Sequence, residues 1–338
     1  MSEAWHTQRE QSAGRVRLTI LWYLYRFLGK GALKLACIPV MAFIYPFARP
    51  AKKALCDFHA VLAEFAPSAL PKSIFHFPFS TFHLYRHLQG FAWSLADKMD
   101  ACTCQKNLPK MSVQDDASWR AFQARIAARQ GAFLISTHVG TIEVLPALAA
   151  HLSSSSPQPL NPLTLQPFNP LTFSPHVHAF QQLGHDAVFT QLFLKHFNKD
   201  AFTLHAVEDI GVETAVDMQA AIAQGDLVLM AGDRVSAGSN KTLAHPFLGR
   251  ACSWPKGVFT FARLMACPIF FITCVRTGWN AYAVRVREFI APADGTKNAC
   301  LAALLDQYVA FLTEEVQAHP EQWYQFYDFF GAEADEGK

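Results

Sequence analysis

The sequence predicts an α/β fold: a mainly parallel central sheet flanked by helices, preceded by an N-terminal helical segment that associates with a membrane. Three observations carry this expectation. Short apolar runs alternate with helix-period stretches from residue 133 to residue 316, the rhythm of parallel strands joined by helical crossovers on both faces. A chain of 338 residues, 51% of them apolar, can bury a full core and is not a disordered chain. Nine Lys and Arg residues fall between Met1 and Lys53 against two Glu, although the net charge of the whole chain is only +2. Positive charge gathered at one end suits an anionic membrane surface. No stretch interleaves basic and aromatic residues as a nucleic-acid groove would require, so no nucleic-acid partner is expected.

The first 53 residues form the predicted membrane-associated unit. Residues 18–27 are apolar with an aromatic cluster, and residues 32–48 are again mostly apolar, bounded by Lys30, Arg49, Lys52 and Lys53. Lys34, Pro39 and Pro46 interrupt the second run, which is shorter than the roughly 20 residues of a comfortable span. A monotopic anchor is the first expectation, with Trp22, Tyr23, Tyr25 and Tyr45 at headgroup depth and Lys and Arg on lipid phosphate. A packed helix pair and a single span are the alternatives. Removal of this segment is expected to release the protein from membranes and leave much of the α/β core. The polar start, and an apolar run without a small-residue cleavage pattern after it, argue against a secretory signal and for a cytoplasmic body.

Residues 54–106 read as a helical preface rich in His and aromatics, and residues 107–330 as the α/β domain. Strands are expected at 133–136, 177–181, 202–207, 227–231, 269–275 and 284–289. Helices are expected at 142–151, 187–197, 212–224, 259–265 and 299–316. Between residues 153 and 175 six prolines and a run of four serines preclude regular structure, so this piece reads as an exposed insertion. The eight cysteines lack the paired spacing of a metal site and lie largely in apolar surroundings, which predicts reduced structural thiols and no bound metal. No dinucleotide or nucleoside-triphosphate fingerprint occurs, so no cofactor is expected.

Chemistry concentrates in LISTHVGTIE, residues 134–143. An apolar strand delivers His138 into a turn with Gly140, and Glu143 follows in the first turn of the next helix, where an anion is favoured. Five residues apart, the two would not share a face of one helix, so His138 is expected in the strand-to-helix loop. Glu143 would then reach back to one imidazole nitrogen while the other faces substrate. A purely local hydrogen bond is the alternative. Gly232-Asp233-Arg234 follows the strand at 227–231 and so falls at a carboxyl edge, where open α/β sheets present ligand-binding groups. Arg234 could hold a phosphate, and Asp233 could fix Arg234 or bind a sugar hydroxyl. Lys256 and Arg263 could extend the cationic patch.

The blocks at 133–143, 232–234, 246–249 (PFLG), 255–257 (PKG) and 320–323 (PEQW) resemble, in order and spacing, the bacterial lipid A biosynthesis lauroyl/myristoyl acyltransferase family. That family is the acyl-carrier-protein-dependent branch of the lysophospholipid acyltransferase superfamily, marked by His, four residues, then Asp or Glu. The resemblance implies a glycerolipid-acyltransferase-like fold at the cytoplasmic face of the inner membrane. It further implies transfer of a fatty acyl chain from acyl carrier protein, or acyl-CoA, to a hydroxyl or amine of a lipid A-like or other envelope glycolipid. His138 and Glu143 would be catalytic, and Asp233, Arg234, Lys256 and Arg263 would bind substrate. Asp97 falls where the family has an acidic residue near the end of its helical preface. The C terminus departs from the pattern: Tyr324-Gln325-Phe326-Tyr327 stands where a basic segment is common, which leaves the acceptor open. A lipid or acyl-thioester hydrolase, or a non-catalytic envelope-biogenesis protein of the same fold, are the alternatives.

Overall fold

The computed structural model describes residues 15–69, 81–103, 109–114, 116–144, 175–182, 202–235, 241–292 and 295–330. A seven-stranded mixed sheet runs through the α/β part. Its strands are β1 (Lys110–Val113), β2 (Ala132–Gly140), β3 (Val177–Gln181), β4 (Phe202–Ala206), β5 (Leu227–Ala231), β8 (Ile269–Gly278) and β9 (Ala281–Glu288), in the order β1-β9-β8-β2-β5-β3-β4. β8, β2, β5, β3 and β4 are parallel; β9 returns antiparallel to β8, and β1 pairs parallel with β9. The strands β6 (Thr242–Phe247) and β7 (Arg250–Pro255) form a separate antiparallel hairpin.

β2 is central because it can be buried on both faces: all residues from Ala132 to Thr137 are shielded from solvent. One face carries Phe133, Ile135, Val228, Met230 and Phe271. These pack under α5 (Val212–Ala223), α6 (Lys256–Leu264) and α7 (Lys297–Ala318), through Met218, Ile222, Phe259, Ala262, Tyr308 and Phe311. The other face carries Leu134, Leu229, Phe270 and Ile272 against Trp119, Phe122 and Ile126 of α4 (Ala117–Ala127). Side-chain caps start two helices: Asp116 accepts from the Trp119 amide at 2.9 Å, and Thr296 from the Ala299 amide at 3.3 Å.

The expected strands at 177–181 and 227–231 coincide with β3 and β5. Three structures were not anticipated: β1, α4 and the β6–β7 hairpin. The sheet is also mixed at one side, where a hairpin between β8 and β9 replaces a crossover. The expected helix at 142–151 begins as a short 3-10 turn, Ile142–Val144. The remainder of that helix, the helix at 187–197 and residues 153–174 of the insertion lie outside the described residues. Cys37, Cys56, Cys252, Cys267, Cys274 and Cys300 are free thiols.

The N-terminal unit comprises α1 (Arg15–Ile44) and α2 (Arg49–Phe65), followed by α3 (Thr81–Thr103). α1 bends at Gly29, whose backbone (φ 78°, ψ 173°) leaves the helical region. The stretch Trp22–Phe47 is long and apolar enough to cross a membrane. One side of α1 nevertheless packs on α3. Tyr25 and Leu33 meet Ala96 and Met99, and the Tyr25 hydroxyl donates to Asp100 at 3.0 Å. Lys34 is fully buried, with Nζ 2.6 Å from Asp97 and donating to the Trp279 carbonyl at 2.8 Å, and Lys30 pairs with Asp100 at 2.8 Å. The opposite side is exposed and apolar, with Phe27 80% and Phe43 74% accessible, and Phe47 in the turn that follows is 73% accessible. The structure therefore corrects two expectations: Tyr25 is buried rather than at a headgroup, and Lys30 and Lys34 pair with α3 rather than with lipid.

Loss of Lys34 should be costly, because it strips a buried carboxylate of its nearest cation. Lys34→Ala is expected to destabilise the protein by about 3–5 kcal/mol in denaturant unfolding, whereas the paired change Lys34→Met with Asp97→Leu should cost much less. Equal losses in the two variants would show that the cost of Lys34→Ala does not come from leaving the Asp97 carboxylate without its cation.

Candidate functional site

β2 and β5 lie side by side with Ser136 opposite Ala231. Two residues further along each chain are His138 and Asp233, at the carboxyl edge of the parallel strands. Past Ser136 the pairing of β2 with β8 shifts register and resumes at Gly140. Such an irregularity re-aims the side chains it carries. Gly140 closes it at φ 80°, and a Cβ there would stand 2.1 Å from the Cys274 carbonyl oxygen, so only glycine fits. Gly232 is constrained differently. A Cβ at that position would come within 2.8 Å of both Ile135 and Tyr308, so its absence lets the chain leave β5 close to β2.

Asp233 is fully buried and grips His138 twice. The His138 amide donates to Oδ2 at 2.8 Å, and its ring Nδ1 lies 2.6 Å from Oδ1. Trp323 Nε1 also donates to Oδ2, at 3.2 Å. Burial pushes the Asp233 carboxyl up, but the His138 imidazole, the two hydrogen bonds from His138 and the charge of Arg234 outweigh it and hold the group below the usual carboxylate range. An ionised carboxylate only accepts, so Nδ1 carries the proton and Nε2 is left with a lone pair. The His138 side chain is 30% exposed, which gives that lone pair access to a ligand. The arrangement is a base with its tautomer fixed, able to take a proton from a hydroxyl or amine and return it to a leaving group. The neighbouring hydroxyls are turned to the backbone: Ser136 donates to the Met230 carbonyl at 3.4 Å and Thr137 accepts from the Val139 amide at 3.0 Å.

The C-terminal segment closes the site from behind. After α7 and the turn Pro320–Gln322, Trp323 bridges antiparallel to Val139 and the Tyr324 amide donates to the His138 carbonyl at 3.0 Å. Gln325 Nε2 donates to the Asp233 carbonyl at 3.0 Å, while its Oε1 accepts from Arg234 Nε at 3.2 Å and Nη2 at 3.0 Å. Arg234 also donates to the Tyr324 carbonyl at 3.2 Å and lies over the Tyr327 ring. Its guanidinium is thus held on the Gln325 and Tyr324 oxygens and the Tyr327 ring, with its charge also acting on Asp233.

The structure brings His138, Asp233 and Arg234 together, with two changes of role. His138 belongs to β2 rather than to a loop. Asp233, read from the sequence as a substrate-binding group, is shut off from solvent and holds the imidazole instead. Glu143 was expected on one imidazole nitrogen, but Nδ1 belongs to Asp233; the backbone of Glu143 lies in the turn Ile142–Val144, and its side chain lies outside the described residues. Lys256 is exposed as the first residue of α6, at the helix end directed toward this edge. Arg263 is not part of the site. It donates to the Lys297 carbonyl at the far end of α6, where Phe261 packs on Phe133 at the start of β2. At about 3.3 Å per residue, Phe133 lies roughly 17 Å from His138 along the strand. Trp323 and Gln325 were not anticipated as site residues. The available signal was the two apolar strands that each end in an ionisable residue. Among the described residues no group of three or more His, Cys, Asp and Glu side chains is placed to hold a metal ion. No protein-family model matches the chain, and no curated protein matches it.

Because the folded-state pKa of Asp233 lies below the ordinary value of 3.8, the carboxylate contributes stability above that value and loses it as pH falls through the folded value. The unfolding free energy of the wild type should therefore exceed that of Asp233→Asn at neutral pH, and the gap should narrow once pH drops below 3.8. A gap that stays constant down to acid unfolding would contradict the ionised, clamped state.

Proposed function

We propose that this chain is an acyltransferase that moves a fatty acyl group from acyl carrier protein, or acyl-CoA, to a hydroxyl or amine of a lipid A-like or other envelope glycolipid. The observation that carries the proposal is the His138–Asp233 pair: a tautomer-locked imidazole with its free nitrogen outward at the carboxyl edge of a parallel sheet. The resemblance of the sequence blocks around His138, Asp233, Lys256 and Trp323 to the lipid A acyltransferases supplies the substrate class.

In the proposed reaction Nε2 of His138 takes the acceptor proton as the acceptor oxygen bonds to the thioester carbonyl carbon. The tetrahedral adduct collapses with cleavage of the carbon–sulfur bond, and His138 returns the proton to the departing thiolate, so no acyl-enzyme is needed. Asp233 stabilises the imidazolium formed between these steps. Arg234, held by Gln325 and the Tyr324 carbonyl, would place a fixed positive charge beside phosphate on donor or acceptor, and Lys256 adds charge at the same edge. The exposed apolar side of α1 supports attachment to a membrane, which would present the site to lipid substrates; the cytoplasmic face of the inner membrane is what the resemblance adds.

The test uses the full chain in detergent micelles with a radiolabelled acyl thioester of carrier protein or CoA and a bacterial glycolipid extract. A labelled acyl-lipid is expected, and its formation should fall by about 10²-fold or more in His138→Ala and in Asp233→Asn. Release of free fatty acid without labelled lipid would replace transfer with hydrolysis, and an unconsumed thioester would refute enzymatic acyl transfer.

A further inference from the structure

We infer that Trp323 is a positioning residue for the His138–Asp233 pair: its indole N–H holds the second carboxylate oxygen and thereby sets how strongly Asp233 pulls on the imidazole proton. The inference rests on the proposed role of His138 as a base, and it assigns to the C-terminal segment a part in the chemistry.

The geometry is over-determined in a way that packing alone does not require. Trp323 is buried among Phe58, Phe247 and Phe329, with ring centroids at 4.9, 5.4 and 5.1 Å. A phenylalanine would fill such an aromatic nest without bringing a polar atom into it. The indole N–H must find an acceptor once buried, and it finds Oδ2 of Asp233 at 3.2 Å. That oxygen already accepts the His138 amide, so Oδ1 remains directed at Nδ1. The indole is itself fixed from the rear. His87 donates from Nε2 to the Trp323 carbonyl at 2.9 Å, and burial lowers the His87 pKa to about 3, so this ring remains a neutral donor. On the other side the bridge to Val139 ties the same residue to β2. Trp323 therefore touches the carboxylate and the strand that bears the base, and it is braced by α3.

A hydrogen bond to a carboxylate spreads its charge and lowers its basicity. With the indole in place, part of the carboxylate charge is taken up by the Trp323 N–H, and Oδ1 pulls less strongly on the Nδ1 proton. Removing the N–H should leave a more basic carboxylate, a shorter bond to Nδ1 and a base that is blocked by protons at higher pH.

The experiment compares wild type, Trp323→Phe and Phe58→Leu; the last loosens the same aromatic nest but keeps the indole N–H. The first readout is the His138 Nδ1–H proton resonance in the full chain without substrate, which is decided whether or not the chain transfers acyl groups. It should move downfield in Trp323→Phe and stay in place in Phe58→Leu. Fluorotryptophan incorporation, which keeps the shape and strengthens the N–H donor, should move it upfield and serves if Trp323→Phe does not fold. The second readout is the rate profile. In Trp323→Phe, kcat at about pH 6 should fall about three- to tenfold with KM unchanged and recover toward wild type at about pH 8. A resonance unchanged in Trp323→Phe and on fluorination, or one displaced equally by Phe58→Leu, would overturn the assignment and leave Trp323 as packing. A displaced resonance with no acyl transfer would uphold the positioning and refute only the proposed reaction.

Discussion

A carboxylate taken out of water costs several kcal/mol unless donors replace the lost hydration, and the region around Asp233 is organised by that demand. Three N–H groups from two distant parts of the chain converge on its two oxygens: the amide and ring of His138, and the indole of Trp323. To deliver them, β2 must pass beside the end of β5, Gly232 must lack a side chain, and the C-terminal segment must run antiparallel to the end of β2. The base is thus a by-product of satisfying the acid. Once Asp233 is paired, His138 has one possible tautomer and one outward nitrogen.

A second buried charge, linked to the same C-terminal segment, follows the same rule. Asp97 on α3 has Lys34 at 2.6 Å and Arg276 at 3.8 Å, and Arg276 in turn exchanges backbone hydrogen bonds with the Gln322 side chain, one residue before Trp323. The apolar N-terminal helix is consequently attached through ion pairs on its inner side, while Phe27, Phe43 and Phe47 face outward. Charge inside and aromatic surface outside leave a helix that is long and apolar enough to associate with a membrane while its polar side is held by the body.

The elements legible in the sequence were those whose signal is local. Residues 227–231 are an apolar run between Gly225 and Gly232, and 212–223 a helical stretch ended by Gly225, so both could be read from neighbours alone. The β6–β7 hairpin escaped because Pro246 and Gly249 read as a motif rather than as an edge strand and its turn. β1 is only four residues long, and α4 carries a single clear mark, the Asp116 cap. Partner choice was the harder problem. Spacing favoured Glu143, five residues from His138, whereas the actual partner is 95 residues away and becomes a neighbour only when β2 and β5 pair as Ser136 with Ala231. Lys30 and Lys34 were assigned to lipid for the same reason. Their spacing of four complements Asp97 and Asp100 at a spacing of three on a second helix, but only packing shows that the two faces meet.

The claim on which the account depends is that Asp233 fixes the proton of His138 on Nδ1. Nitrogen NMR of the imidazole-labelled full chain at neutral to mildly alkaline pH reads this directly from the one-bond couplings of the two ring nitrogens. A protonated Nδ1 beside an unprotonated, acceptor-like Nε2 is the expected result. A His138 protonated on Nε2, with Nδ1 bearing the lone pair, would contradict the clamp and the outward base that follows from it.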